Sequence, residues 1–186
     1  MISGFGWAAL VLLLGYLVLF FWGSAIAARA AGKPVWLFAR AKGRDRWAAI
    51  GFRVAFVLAF TGPLVWWASP VLRDMDVFWD KGSTVMLGVI GLFVAGIGAL
   101  LAFAAQMSMG SSWRVGVAEG ATGNLVSEGL YRFSRNPTFV GQFMLLAGVG
   151  LAIPAIPTIL APLMFFWSAS AQVRSEEAAL RQSLGP

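Results

Sequence analysis

The sequence predicts an all-α polytopic membrane protein with five transmembrane helices, a C-terminal helical hairpin and a short cytoplasmic tail helix. Three observations carry that expectation. Of the 186 residues, 59% are hydrophobic and only 12% are charged, about half the charged share of an ordinary soluble domain. The apolar residues gather in runs, the longest able to cross a hydrocarbon core of about 30 Å. When the runs are threaded alternately through a membrane, eleven of the 14 basic residues fall on one side. A soluble fold of this size cannot hide so much apolar surface, so its solvent is lipid. Residues 1–186 read as a single membrane domain.

The first run, from about Phe5 to Ala28, has no positive charge ahead of it, as a signal peptide would. It reads as an uncleaved span despite the small residues Ser24-Ala25-Ile26-Ala27-Ala28. A basic loop follows, with Arg29, Lys33, Arg40, Lys42, Arg44 and Arg46 against Asp45. The second span runs from about Trp47 to Val71 and carries Arg53 near enough to its basic end to snorkel. Arg73, Asp74, Asp76, Asp80 and Lys81 lie in the next connection, before a glycine- and alanine-rich third span from about Ser83 to Met107. After the polar stretch Gly110–Pro137, two shorter runs, Thr138–Ile153 and Thr158–Val173, flank Pro154-Ala155-Ile156-Pro157. Those prolines predict a tight turn and a hairpin that returns the chain to its starting side. The tail from Arg174 to Pro186 reads as a short charged helix.

The positive-inside rule puts the basic loop, Gly110–Pro137 and the tail in the cytoplasm, with the N-terminus outside. Trp47, Trp66, Trp67 and Trp113 fall near span ends and are expected in the interfacial aromatic belt. The net charge of +6 and the pI near 10.8 arise from those loops, so no nucleic-acid partner is expected. Small residues serve contacts within one chain or between chains equally well, which leaves oligomeric state open.

Cysteine and histidine are both absent. Disulfides, thiolate nucleophiles, iron–sulfur ligation and c-type haem attachment are thereby excluded. The commonest general base and metal ligand is missing too, and no metal site is expected. No acid lies within the spans, which argues against a proton- or cation-coupled transporter and an intramembrane aspartyl protease. The polar chemistry gathers instead in Gly110–Pro137 and the tail, which the hairpin brings to one face.

Those segments carry a resemblance. The run Leu125-Val126-Ser127-Glu128-Gly129-Leu130-Tyr131-Arg132-Phe133-Ser134-Arg135-Asn136-Pro137-Thr138-Phe139-Val140-Gly141 resembles a superfamily signature, Leu-Val-x-x-Gly-Pro-Tyr-Arg-x-x-Arg-His-Pro-x-Tyr-x-Gly. It belongs to the isoprenylcysteine carboxyl methyltransferases and phospholipid methyltransferases. Glu176-Glu177, Leu180 and Leu184-Gly185 resemble the later Glu-Glu block of that superfamily, and Trp113-Arg114-Val115-Gly116 its Trp-Arg-x-Gly lead-in. The resemblance covers about Ser111 to Gly185. Leu130, Asn136 and Phe139 stand where the signature has proline, histidine and tyrosine. Asparagine still donates and accepts hydrogen bonds, and Arg-Asn-Pro resembles a bacterial variant, so a bacterial inner membrane is the expected location. Many relatives continue beyond the equivalent of Pro186, so any lid or substrate contact from such an extension is expected to be lacking.

The resemblance implies a membrane-embedded methyltransferase using S-adenosylmethionine, with its core over about 83–186. It implies cofactor contacts from Gly96 and Gly98, from Leu125, Val126, Tyr131, Arg132 and Asn136, and from Glu176 and Glu177. Tyr131, Arg135 and Glu177 become the candidate catalytic residues. The residues alone admit plainer roles. Gly88, Gly91, Ala95, Gly96 and Gly98 suit tight helix packing, Glu177 and Arg181 an exposed i,i+4 pair, and Tyr131 and Arg132 interfacial anchoring. Adjacent helix residues point about 100° apart, so Glu176 and Glu177 are expected to do different jobs. Methyl transfer depends on positioning and desolvation more than on a base, so it tolerates the missing histidine. The implied acceptor is lipid-like, a prenylcysteine-type carboxylate or a phospholipid amine, with a small thiol as a further option. A nicotinamide-dependent membrane reductase and a non-enzymatic helical carrier are the other classes open.

Overall fold

The computed structural model describes residues 4–36, 43–79, 84–115 and 128–184. Arg40, Lys42, Asp80, Lys81, Glu119, Leu125, Val126 and Gly185 lie outside them. The described residues form six α-helices: α1 (Gly4–Ala31), α2 (Gly43–Ala68), α3 (Pro70–Met75), α4 (Val85–Met109), α5 (Pro137–Ala152) and α6 (Ile156–Leu184). Within α1, α2, α4 and α6 lie four apolar stretches long enough to cross a membrane. The 16 residues of α5 make about 24 Å at 1.5 Å per residue, less than the hydrocarbon thickness.

Two boundaries differ from expectation for local reasons. The second span was expected to reach Val71, but α2 stops at Ala68. Pro70 holds Ser69 in extended backbone (φ −123, ψ 99), as the residue before a proline prefers. The Ser69 hydroxyl then accepts from Leu72 N and starts α3. The tail is not a separate helix. Nothing between Val173 and Leu184 breaks a helix, so the charged residues continue α6 to 29 residues.

The helix α5 lies at the centre, with ten of its sixteen residues buried. Its small residues let α4 approach to backbone contact. A Cβ on Gly98 would meet Leu145 N at 2.4 Å, and one on Gly141 would meet Ala102 N at 2.4 Å. Seven residues along, Gly91 and Gly148 repeat the arrangement. The pairing of Gly98 with Gly141 and of Gly91 with Gly148 makes α4 and α5 antiparallel, and the seven-residue spacing matches a left-handed seam. On the other side α2 runs antiparallel to α6, with Gly62 against Pro157 and Gly51 against Ser168. The first helix packs parallel to α4, Phe5 lying on Gly88 and Gly23 on Gln106. Phe52, Phe139 and Phe165 interlock where α2, α5 and α6 meet.

Large apolar side chains cover the outside. Val11, Leu14, Val18 and Trp22 on α1, Phe93 and Leu100 on α4, and Leu163, Phe166 and Trp167 on α6 are all exposed. A soluble monomer does not display so wide an apolar belt, and the molecule is an integral membrane protein. Trp47 and Trp67 lie exposed near helix ends, as a belt residue would. Trp113 is a correction, because it is buried at 6% exposure and its indole points inward.

The two ends of the bundle differ. At the hairpin end, Thr158 Oγ1 accepts from Ala155 N and donates to Ile153 O, closing the α5–α6 turn. Pro157 lies in the first turn of α6, where a missing N–H costs nothing. Asp76, 2% exposed, accepts from Phe78 N at 2.9 Å and from Ile156 N at 2.7 Å, so it caps α6 from the α3–α4 connection. Asp76→Ala leaves two amides without their charged acceptor and is expected to cost about 2–3 kcal/mol. The check is a lowered Tm in detergent, with exposed Asp74→Ala unchanged. The opposite, basic end gathers Arg29, the end of α4, the start of α5 and the charged turns of α6.

Candidate functional site at the basic end

The connection into α5 is built from short-range bonds. Gly129 takes φ +61, a left-handed conformation that glycine adopts without steric cost, and opens a 3-10 turn over Gly129–Arg132. Tyr131 N donates to Glu128 O and Ser134 N to Leu130 O. Ser134 Oγ then accepts from Asn136 N, and Pro137 starts α5 with its fixed φ. Asn136 occupies the N-cap position, yet its side chain makes no capping bond. Its main-chain carbonyl accepts from Val140 N.

Three elements converge there. Tyr131 is half-buried, and its hydroxyl donates to Ala105 O on α4 at 3.3 Å. Arg135 reaches across to α6, where its Nη1 lies 3.1 Å from Glu177 Oε1. That contact joins the two motif blocks, 42 residues apart in sequence. The Arg135 side chain is 84% exposed and that of Glu177 38%, so both face the aqueous rim. Glu177 therefore pairs with Arg135. Arg132 and Phe133 are exposed beside them.

The expected cofactor residues do not all gather at this point. Tyr131, Arg132, Arg135, Asn136 and Glu177 come together; Glu176 lies on the same turn of α6. Leu125 and Val126 lie outside the described residues. The absent Cβ of Gly98 is filled by the backbone of α5, so that position serves packing. Gly96 has nothing among the described residues within 4 Å of its Cβ position; it lies nine residues before Ala105, about 14 Å along α4 from the Tyr131 contact. The two glycines point about 200° apart on the helix and cannot serve one ligand in the same way.

Sequence reasoning missed the neutral polar residues inside the bundle. Gln142 Nε2 donates to Tyr16 Oη at 2.7 Å between α5 and α1, and Gln106 bonds to α1. Thr138, in the first turn of α5, is 5% exposed. Its Oγ1 and Gln106 Oε1 are buried with no partner among the described residues. The available signal was an amide or hydroxyl in an otherwise apolar run, which attention to formal charge passed over.

At this end a guanidinium donates, a carboxylate accepts, and the Asn136 amide and the Thr138 hydroxyl can do either, a set of groups of the kind that a zwitterionic ligand with a nucleoside part needs. Phe139 stands where the signature has tyrosine. Its ring lies between Phe52 and Phe165.

Residues 89–182, half of the chain, match the model of the isoprenylcysteine carboxyl methyltransferase family. The matched stretch runs from α4 through the site to the end of α6. No curated protein and no solved structure matches the chain.

Proposed function

Because this chain belongs to the isoprenylcysteine carboxyl methyltransferase family, a family of membrane methyltransferases, we propose that it uses S-adenosylmethionine to methylate a lipid-like acceptor. The acceptor is a prenylcysteine-type carboxylate or a phospholipid amine. The observation that carries the reading is the Arg135–Glu177 contact, which closes the two motif blocks over one patch. In this reading residues 1–186 form one domain that crosses the membrane five times, α5 included. The basic end faces the cytoplasm of a bacterial cell, as the positive-inside rule requires.

When bound, the cofactor would supply a methyl group activated on a sulfonium, an electrophile for the acceptor's lone pair. The protein's own groups hold the geometry for the in-line transfer. Arg135 offers a fork to the carboxylate of the methionine part, and Glu177 offers an acceptor to its ammonium. Arg132 contributes positive potential at the rim. Asn136 donates and accepts toward the adenosyl part, and Tyr131, tied to Ala105, holds the loop against α4. An anionic acceptor needs no base, while an amine loses its proton to water or Glu177.

The test is calorimetric binding of S-adenosylhomocysteine to the protein in lipid nanodiscs. Micromolar binding is the expected result, followed by methyl transfer in a screen of prenylcysteines and phospholipid amines. A well-folded protein without binding sinks the reading and returns the non-enzymatic carrier. The family match does not favour a nicotinamide-dependent reductase, and weak or absent binding of a reduced nicotinamide in the same format is the companion result.

A further inference from the structure

We infer that Ser24 on α1, outside the stretch that matches the family, is a positioning residue for the methyl-transfer site; the inference rests on the site reading above. Its side chain ties α1 to the end of α4 and to the segment after it at the basic end. Ser24 is 1% exposed, and its single oxygen accepts from two directions. Gln106 Nε2 donates to it at 3.0 Å from α4, and Trp113 Nε1 donates at 3.1 Å from the segment that follows α4. Both donors belong to the matched region, residues 89–182.

The surroundings are shaped for this junction. Gln106 Nε2 sends its other hydrogen to Phe20 O at 2.9 Å, so both donor hydrogens go to α1. Gly23 leaves the room: a Cβ there would come within 3.0 Å of Gln106 Nε2. The indole of Trp113 meets Phe20 edge-on at 5.9 Å, and Val115 N donates to Val35 O at 2.8 Å. Residues 113–115 are therefore held to the α1 side by a side chain, a ring and a main-chain bond.

These contacts bear on the site through α4. Ala105, the neighbour of Gln106, accepts the Tyr131 hydroxyl. One turn of α4 is thus anchored to α1 on one side and to the Tyr131–Asn136 loop on another. Trp113 fixes the segment 113–115, which precedes that loop in sequence. Without the Ser24 oxygen, two buried donors lose their acceptor, and relieving that cost shifts α4 or the 113–115 segment. Either shift moves the loop that carries Tyr131, Arg132, Arg135 and Asn136 relative to Glu177.

The experiment compares Ser24→Ala, Trp113→Phe and the double variant in nanodiscs, reading S-adenosylhomocysteine affinity by calorimetry together with Tm. Each single change is expected to weaken binding about tenfold, and the double variant no further than the worse single, since both remove one junction. Ser24→Thr, which restores the hydroxyl, is expected to bind within about threefold of the parent. Asp76→Ala at the far end is expected to lower Tm and leave affinity unchanged, separating stability from positioning. Ser24→Ala that loses Tm but binds like the parent overturns the inference, as do additive effects in the double variant. A parent protein that binds no S-adenosylhomocysteine is a different result: it overturns the site reading, and the inference with it.

Discussion

Glu177→Ala is expected to weaken S-adenosylhomocysteine binding about ten- to a hundredfold while leaving Tm within a degree or two, and Arg135→Ala to do the same. The two halves of that expectation have separate causes. Hydrogen bonds between charged partners contribute about 1.5–3 kcal/mol when the ligand is held, which converts to the stated loss. The ion pair itself, with Arg135 84% exposed, contributes little to folding because water screens it. Arg135→Lys keeps the charge and loses the two-pronged geometry, so an intermediate affinity is expected. The decisive variant exchanges the residues, Arg135→Glu with Glu177→Arg. It preserves an ion pair and reverses the charges offered to a zwitterion. Loss of binding on exchange, measured by calorimetry, supports ligand recognition; retained binding assigns the pair to interface anchoring.

The second large effect is structural. Gly141→Leu is expected to separate α4 from α5 and cost about 3 kcal/mol, seen as a Tm drop and a loss of monodisperse protein on size exclusion. A Cβ at Gly141 would lie 2.4 Å from Ala102 N and 2.6 Å from Gly98 O. Those are backbone atoms, so no side chain can turn aside to make room. Gly96→Leu is the contrast, since nothing among the described residues lies within 4 Å of its Cβ position, and it is expected to fold normally. Affinity in that folded variant then tells whether the face of α4 around Gly96 touches the cofactor.

The helices were legible because lipid demands long apolar runs, and proline marks their ends locally. The hairpin around Pro154 and Pro157 and the core seam of Gly91, Ala95 and Gly98 follow from that logic. Helix partners were less legible. The glycines of α5, Gly141 and Gly148, answer those of α4 at the same spacing, yet only the fold shows which helix faces which. Trp113 illustrates the limit: a tryptophan at a span end has a lipid-facing and an inward-facing option, and contacts distant in sequence, such as Ser24, 89 residues away, decide between them. In the site, the motif identified Arg135 and Glu177 separately. Their contact depends on how α5 and α6 are staggered, which no local pattern encodes.

That stagger gives the bilayer itself a say. Arg135 precedes a 16-residue helix buried at the centre, whereas Glu177 rides on a 29-residue helix fastened at its far end by Asp76 and Thr158. A helix longer than the hydrocarbon responds to thickness by tilting; a short central one, with ten of its sixteen residues buried, has less freedom to follow. Tilt of α6 against α5 is expected to show at its charged end, as a change in the gap between Arg135 and Glu177. Acyl-chain length is then expected to alter the spacing of these two charges.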